Sequence, residues 1–353
     1  MWKIFSLCLI VFLFWLLGVV LQKKNSVMDS RQTPINFASQ KNLSTNSLQI
    51  TQMRKRSYPG SIPVIEKDLG EKNDYHQYIA SYLSDNLKIY GLLTVPIGKK
   101  PDAGWPVIIF NHGYISPEQY KTTERYVAYV DAFAKNGYIV FKSDYRGNGS
   151  SEGQPEGAYY SPAYTVDVLN AVGSIKKLQD PKSGDNEKFV NTDKIGMWGH
   201  SMGGNITLRN LVVDGADIRA AVIWGGVVGS YYDLANNWHR KTPFRPSERE
   251  RFRSNYRQNL IGTYGSPDSA SEFWQSVDPT FYLSDITTPI QLHTGGDDEV
   301  VPVGFSIALR DKLETLGKVA EYYNYPGGDH NISSPNFNLA MGRSLKFFDR
   351  HLK

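Results

Sequence analysis

A serine lies between two glycines where a strand-like run gives way to a helix-like one. The pentapeptide Gly-His-Ser-Met-Gly occupies positions 199–203, after the run 194–198 and before an apolar-periodic stretch over 206–213. Only small residues tolerate the close contacts of so sharp a strand-to-helix turn, which lifts the serine hydroxyl above the sheet edge. The pattern predicts that Ser201 is a nucleophile. It also predicts an acid and then a histidine further along the chain.

The candidate acid follows a later strand-like run. Residues 289–294 lead into two glycines and then into Asp297 and Asp298. The spacing Gly-x-x-Asp-x-x-Val-Pro favours Asp298, and Asp297 remains the alternative. A carboxylate that merely caps the next helix is the structural interpretation of the same pair.

The candidate histidine is His330, which follows the strand-like run 320–325 and a pair of glycines. The chain order serine, acid, histidine matches that of hydrolases with a nucleophile elbow. We therefore expect His330 to take the proton of Ser201 while Asp298 orients the imidazole, so that the hydroxyl attacks a carbonyl and forms an acyl-enzyme. This chemistry requires no metal ion and no organic cofactor.

Backbone N–H groups must also stabilise the negative charge that develops on the attacked oxygen. The buried-strand run 105–111 ends in His112-Gly113, and the amide just beyond it can pair with the amide that follows the nucleophile. We expect the N–H groups of Tyr114 and Met202 to form this oxyanion hole. The alternative is that the segment 111–113 only turns the chain.

Together these residues resemble the α/β-hydrolases, and within them the catalytic domain of the prolyl oligopeptidase family of serine peptidases and related esterases. The resemblance covers about residues 75–353 and rests on an Arg-Gly-x-Gly-x-Ser loop within 144–153, the elbow, and the loops 295–302 and 327–331. It implies a serine hydrolase that cleaves a peptide or a carboxylic ester. We expect no room here for the large propeller of the long peptidases, so specificity built on a propeller is not implied.

The loop 144–153 also contains two opposite charges close together, Asp144 and Arg146. We expect them to hold the loop beside the elbow through an internal ion pair. Direct contact of either side chain with substrate is the alternative.

Apolar periodicity predicts an α/β fold with a mostly parallel twisted sheet and helices on both faces. An antiparallel pair is expected near 76–83 and 87–95. The strands that follow are predicted over 107–111, 138–143, 194–198, 220–224, 290–293 and 320–325, and the helices over 124–136, 163–178, 206–213, 303–317 and up to residue 352. All candidate catalytic groups then lie at strand carboxyl ends, where open α/β sheets bind ligands.

The stretch 225–285 is too long for an ordinary connection and predicts a small helical cap. Its arginines favour a solvated helix face over a site for an acidic substrate or lipid headgroups. They are Arg240, Arg245, Arg249, Arg251, Arg253 and Arg257.

The first sixty residues differ from the rest. The uncharged run 4–21 is long enough to cross a bilayer and no Ala-x-Ala-like exit follows it, so we expect an uncleaved membrane anchor over 1–24 rather than a cleaved signal peptide. The polar stretch 25–60 predicts a flexible tether, with an amphipathic element packed on the domain as the alternative. The hydrolase domain then spans 61–353, and we expect it outside the cytoplasm.

Composition argues against several other classes. The net charge is +4 and basic residues are interleaved with acidic ones, so nucleic-acid binding is not expected. With Cys8 as its single cysteine the chain cannot form an intrachain disulfide. An inactive hydrolase fold that serves as a membrane-tethered interaction module is the alternative to an enzyme. The choice between peptide and ester and the oligomeric state stay open.

Overall fold

The computed structural model describes residues 45–72, 74–184, 188–239 and 251–353. In these residues nine strands form one sheet. The strands are β1 (Val64–Lys72), β2 (Tyr75–Ser84), β3 (Leu87–Pro96), β4 (Trp105–Asn111), β5 (Ile139–Ser143), β6 (Val190–His200), β7 (Ile218–Trp224), β8 (Ile290–Gly295) and β9 (Ala320–Tyr325). Their order across the sheet is β1-β2-β3-β5-β4-β6-β7-β8-β9.

The sheet has an antiparallel end and a parallel body. β1, β2, β3 and β5 pair antiparallel in succession. From β5 through β4 to β9 every pairing is parallel. The predicted antiparallel pair is confirmed as β2 and β3, joined at Asp85 and Asn86, which both have positive φ of 50° and 64° as a tight hairpin turn requires. The predicted fold class is therefore confirmed.

Strand β1 was not predicted. It lies at the edge of the sheet, contains only exposed and half-buried residues, and has two irregularities in its pairing with β2. Its sequence is rich in charge, as is common for edge strands that must not pair with another chain. Such a strand lacks the apolar alternation by which the others were recognised.

Helices cover both faces of the sheet. They are α1 (Ile50–Met53), α2 (Val127–Lys135), α3 (Ala163–Ile175), α4 (Met202–Asp214), α5 (Tyr231–Asn236), α6 (Arg251–Tyr264), α7 (Glu272–Val277), α8 (Val303–Thr315) and α9 (Phe337–Leu352). Buried side chains of α3, α4 and α8 belong to one apolar core, and those of α2 and α9 belong to a second.

The two cores follow from the alternation of side chains along each buried strand. In β4, Val107 and Ile109 face the core with α3 and α4, whereas Ile108 and Phe110 face the core with α2 and α9. All four side chains are at most 1% exposed. A continuous apolar run is therefore the expected sequence for a strand covered on both faces.

The stretch between β7 and β8 is helical in its described part, which includes α5, α6 and α7. Its apolar side chains form a small cluster together with Leu48, which precedes β1. Of the six arginines named above, only Arg257 has a described side chain, and its guanidinium carbon lies 5.7 Å from the ring centre of Tyr160. The buried members of the cluster are Leu48, Tyr231, Leu260, Trp274 and Val277.

The last part of the segment predicted as a tether is packed against the domain. Ile50 and Met53 are fully buried, and Tyr58 is 9% exposed. The guanidinium of Arg54 donates to the carbonyl oxygen of Val212 at the end of α4. Residues within 48–58 therefore pack against the domain, while residues 25–44 lie outside the described part of the chain.

The predicted membrane anchor over 1–24 also lies outside the described residues. In the part of the chain that the structure describes, none of the helices combines the length and the apolar character needed to span a bilayer.

Candidate active site

Ser201 lies in the turn between β6 and α4, with φ 55° and ψ −119°. The turn is so tight that its flanking glycines have no space for a side chain. A β-carbon on Gly199 would lie 2.4 Å from Thr207 Oγ1, and one on Gly203 would lie 1.9 Å from the carbonyl oxygen of Asn111. The structure therefore places Ser201 on the elbow that the sequence predicts.

The backbone of Ser201 is held from both sides. Its N–H donates to the carbonyl oxygen of Trp224 at 3.0 Å, and its own carbonyl oxygen accepts from Gly204 and Val227 at 3.0 Å each. The side chain has no hydrogen-bond partner among the described residues, and the residue is 9% exposed. Its hydroxyl is thus fixed in place by the backbone without being engaged elsewhere.

The two candidate acids have different environments. Asp298 Oδ2 lies 2.7 Å from His330 Nδ1, while its Oδ1 accepts from the N–H groups of Val300 and Val301 at 2.8 and 2.9 Å. Its side chain is 1% exposed. Asp297 is exposed, and its backbone N–H donates to Gly328. The structure therefore brings Asp298, and not Asp297, to the histidine.

The hydrogen bond to Asp298 defines the tautomer of neutral His330. A carboxylate only accepts, so the proton is on Nδ1 and the lone pair is on Nε2. Within the described residues this is the one hydrogen bond of the ring, so Nε2 is unengaged. That nitrogen is the one a general base uses toward a serine hydroxyl.

Gly225 connects this pair to the elbow. It follows Trp224, which accepts the N–H of Ser201, and its φ is 49°. A β-carbon on Gly225 would lie 3.2 Å from His330 Nδ1 and 3.3 Å from Asp298 Oδ2. The ring of His200, the residue before the serine, also lies 4.6 Å from the ring of His330. The loops after β6, β7, β8 and β9 thus meet at one place.

One predicted oxyanion donor, Met202, follows the serine in the chain, and the other, Tyr114, follows Gly113, which lies against the serine. Met202 is the first residue of α4, so its N–H has no carbonyl partner within the helix. Helix N-termini favour negative charge. Gly113, which precedes Tyr114, approaches the serine so closely that a β-carbon on it would lie 3.1 Å from Ser201 Cβ.

His112 orients the peptide unit that contains the Tyr114 N–H. Its Nδ1 lies 2.7 Å from the carbonyl oxygen of Gly113. In a trans peptide the C=O and N–H bonds point in opposite directions, so holding the Gly113 oxygen also directs the Tyr114 N–H. The imidazole is stacked between Tyr120 and Tyr145, with ring centres 4.8 and 4.3 Å away. Burial lowers the pKa of His112 to about 3, which keeps the ring neutral.

The predicted ion pair between Asp144 and Arg146 is wrong. The guanidinium of Arg146 binds the fully buried carboxylate of Asp167 on α3, at 2.7 to 3.1 Å. Asp144 instead accepts from Tyr120 and Thr122 at 2.7 and 2.6 Å. A fully buried carboxylate such as that of Asp167 is stable only when hydrogen-bond donors surround its oxygens. Arg146 supplies several N–H donors at once.

Sequence reasoning missed Gly225, Tyr126 and the role of His200. Two consecutive glycines directly after the predicted strand 220–224 are the signal that could have indicated a close backbone approach there. No comparable sequence signal marks Tyr126. The described residues contain no group of three or more histidine, cysteine or acidic side chains arranged to hold a metal ion.

The fold and the elbow define an α/β-hydrolase of the prolyl oligopeptidase-like class, and the chain is a serine hydrolase. The family model described as serine aminopeptidase, S33, matches residues 105–334, and the chain belongs to this family. An uncharacterized peptidase of Bacillus subtilis, YtmA, is 26% identical over 271 residues, which are 76% of this chain and 91% of the relative.

Solved structures show the same fold at lower sequence identity. Acylaminoacyl peptidase of Pyrococcus horikoshii matches with a TM-score of 0.58 and 21% identity over 80% of this chain. This chain spans 43% of the length of that peptidase. Acetyl xylan esterase of Paenibacillus sp. R4 matches with a TM-score of 0.57 and 18% identity, over 86% of this chain and 91% of the esterase.

Proposed function

We propose that this serine hydrolase cleaves short peptides through a triad of Ser201, His330 and Asp298. The observation that carries the proposal is the 2.7 Å hydrogen bond between His330 Nδ1 and Asp298 Oδ2, at the point where Gly225 connects that pair to the elbow. Among the described residues His330 Nε2 and the Ser201 hydroxyl have no other hydrogen-bond partner, which supports their roles as base and nucleophile.

In the first half-reaction His330 Nε2 takes the proton of Ser201 as Oγ attacks the carbonyl carbon of the scissile bond. The resulting imidazolium is stabilised by the Asp298 carboxylate. When the tetrahedral intermediate collapses, the carbon–nitrogen bond breaks and His330 gives its proton to the leaving amine. An ester of Ser201 with the acyl part of the substrate remains.

In the second half-reaction a water molecule replaces the amine. His330 takes a proton from the water as its oxygen attacks the acyl carbon, and Ser201 Oγ leaves with that proton. In both steps the oxyanion accepts hydrogen bonds from the N–H groups of Met202 and Tyr114. Loss of one such donor typically costs on the order of a hundredfold or more in rate.

The family supports a peptide substrate. The family model is described as a serine aminopeptidase, and YtmA, which is named a peptidase, matches along 91% of its own length. Carboxylic esters pass through the same acyl-enzyme and have a better leaving group, so an esterase is the second candidate.

A panel of substrates tests the proposal on the purified full-length chain. It compares aminoacyl-p-nitroanilides with a free amine, the same anilides with an acylated amine, and p-nitrophenyl esters. We expect the wild-type protein to hydrolyse anilides and Ser201→Ala to hydrolyse none. A preference for the free amine indicates an aminopeptidase.

Two other outcomes contradict parts of the proposal. Turnover of esters without any turnover of anilides would replace the peptidase by an esterase. If no substrate is turned over and a fluorophosphonate probe leaves Ser201 unmodified, the protein is not a hydrolase and the interaction module is the better description.

We further propose that residues 1–24 anchor the protein in a membrane, with the hydrolase domain outside the cytoplasm. Support comes from the sequence, in the uncharged run 4–21 and the polar stretch that follows it. An alkaline carbonate wash should leave the full-length chain in the membrane fraction, and protease added to intact cells should digest the domain. Release by the wash would contradict the anchor, and protection from protease would contradict the orientation.

A further inference from the structure

A bridge of two side chains lies between the loop that follows β4 and the loop that contains His330. The hydroxyl oxygen of Tyr126 lies 2.9 Å from the N–H nitrogen of Gly113 and 2.7 Å from His200 Nδ1. On the other side of the ring, His200 Nε2 lies 3.0 Å from the carbonyl oxygen of His330. Three hydrogen bonds therefore connect the backbone N–H of Gly113, the residue before Tyr114, to the backbone carbonyl of His330.

The direction of each hydrogen bond follows from its end groups. The Gly113 N–H can only donate to the Tyr126 oxygen, and the His330 carbonyl can only accept from His200 Nε2. A neutral imidazole with its proton on Nε2 must accept at Nδ1, so the Tyr126 hydroxyl donates there. Every group in the bridge is then satisfied, and each donates toward His330. Hydrogen bonds aligned in this way strengthen one another.

The surroundings keep both side chains in place and His200 neutral. His200 is 2% exposed. Burial, and then the nearby His330, lower the pKa of His200 to about 3. The ring of Tyr126 packs against those of Phe110 and Trp198, with ring centres 5.6 and 6.2 Å away. The bridge is therefore a partly buried connection whose two side chains are held by packing.

We propose that Tyr126 and His200 are positioning residues that hold the oxyanion-hole loop and the His330 loop at the spacing the reaction requires. This inference rests on the proposed function and deepens it. Neither side chain needs to touch the substrate. Without the bridge the Tyr114 N–H and the His330 ring can shift relative to the serine, and small displacements of reacting groups are costly. The loss appears in the rate of the chemical step more than in substrate binding.

Variants of the full-length protein test this inference through kcat and KM. Tyr126→Phe removes the hydroxyl and both of its hydrogen bonds, and should lower kcat about tenfold with KM within about twofold. His200→Phe removes both ring nitrogens and should lower kcat about a hundredfold. His200→Gln keeps one acceptor and one donor at a similar separation and should recover kcat to within about threefold of the wild type.

Tyr138→Phe is the matched control, because it removes another partly buried tyrosine hydroxyl that donates to Asp349 at 2.7 Å, outside the site. It should lower thermal stability as much as Tyr126→Phe does and leave kcat unchanged. A wild-type kcat in Tyr126→Phe, equal kcat losses in Tyr126→Phe and Tyr138→Phe, or equal losses in the two His200 variants would overturn the positioning role.

Nitrogen NMR of histidine-labelled protein reports on the bridge without turnover. The signal that disappears in His200→Gln should be that of an Nε2–H tautomer, and its Nδ1 should shift in Tyr126→Phe. An Nδ1–H tautomer would overturn the bridge. A wild-type protein that neither hydrolyses substrate nor reacts with fluorophosphonate refutes the proposed function, whereas an active wild type with an equally active Tyr126→Phe refutes only this inference.

Discussion

Asp298 Oδ2 lies 2.7 Å from His330 Nδ1, whereas Asp297, the preceding residue, is exposed. Asp298→Asn should therefore lower kcat by about four orders of magnitude, because an amide favours the wrong imidazole tautomer and cannot stabilise the imidazolium. Asp297→Asn is the matched control and should change kcat less than about twofold. Comparison of kcat for the two variants checks the assignment, and a larger loss at position 297 would contradict it.

Ser201→Ala should lower kcat by about six orders of magnitude if the three side chains act as one unit. The same substitution should change the free energy of unfolding by less than about 0.5 kcal/mol, because the hydroxyl has no hydrogen-bond partner to lose among the described residues. Single-turnover kinetics and urea unfolding measure the two quantities. Near-normal turnover would rule out the proposed mechanism.

Gly225→Ala tests whether the position of the His330–Asp298 pair affects catalysis independently of the stability of the protein. Its β-carbon would press on His330 and Asp298 from 3.2 and 3.3 Å, and its φ of 49° adds strain of about 1 kcal/mol for any other residue. Gly137→Ala is the matched control, because its φ is 78° and nothing lies within 4 Å of the added carbon. Both variants should lose similar stability in urea unfolding, and only Gly225→Ala should lose kcat, by about tenfold or more. Equal kcat in the two variants would show that the pair does not depend on this contact.

Acid should destabilise the protein through three buried histidines. Burial lowers the pKa of His112, His200 and His293 to about 3. Below about pH 6.5 these histidines bind protons in the unfolded state but not in the folded state. The free energy of unfolding therefore falls by about 1.4 kcal/mol per pH unit for each histidine as the pH drops from about 6.5 toward 3.

His293→Gln should reduce the dependence of the unfolding free energy on pH by about 1.4 kcal/mol per unit between about pH 6 and 4. The wild-type protein, measured at the same pH values, is the control. Urea unfolding at several pH values measures both. A His293→Gln protein with the wild-type slope would contradict the assignment of a depressed pKa.

Asp144 acts with the opposite sign, because burial raises its pKa to about 6 and protonation then favours the folded state.

The sequence by itself determined the elements with strong local patterns. Buried strands such as β4 and β7 are almost entirely apolar, so their runs are recognisable without a partner, and the glycines around Ser201 indicate a turn that only small residues permit. The glycines near Asp298 and His330 likewise indicate tight turns directly after strands, which is a local property of the sequence. The charged edge strand β1 has no such pattern and was missed.

Tertiary structure alone decided which side chains are partners. Arg146 binds Asp167 rather than Asp144, because the need of a fully buried carboxylate for donors is a property of the packed core. Gly225 beside His330, and Tyr126 between Gly113 and His200, join residues from different parts of the chain. Local backbone preferences depend on neighbouring residues. Contacts such as these depend on how the strands are ordered in the sheet, so no single stretch of sequence predicts them.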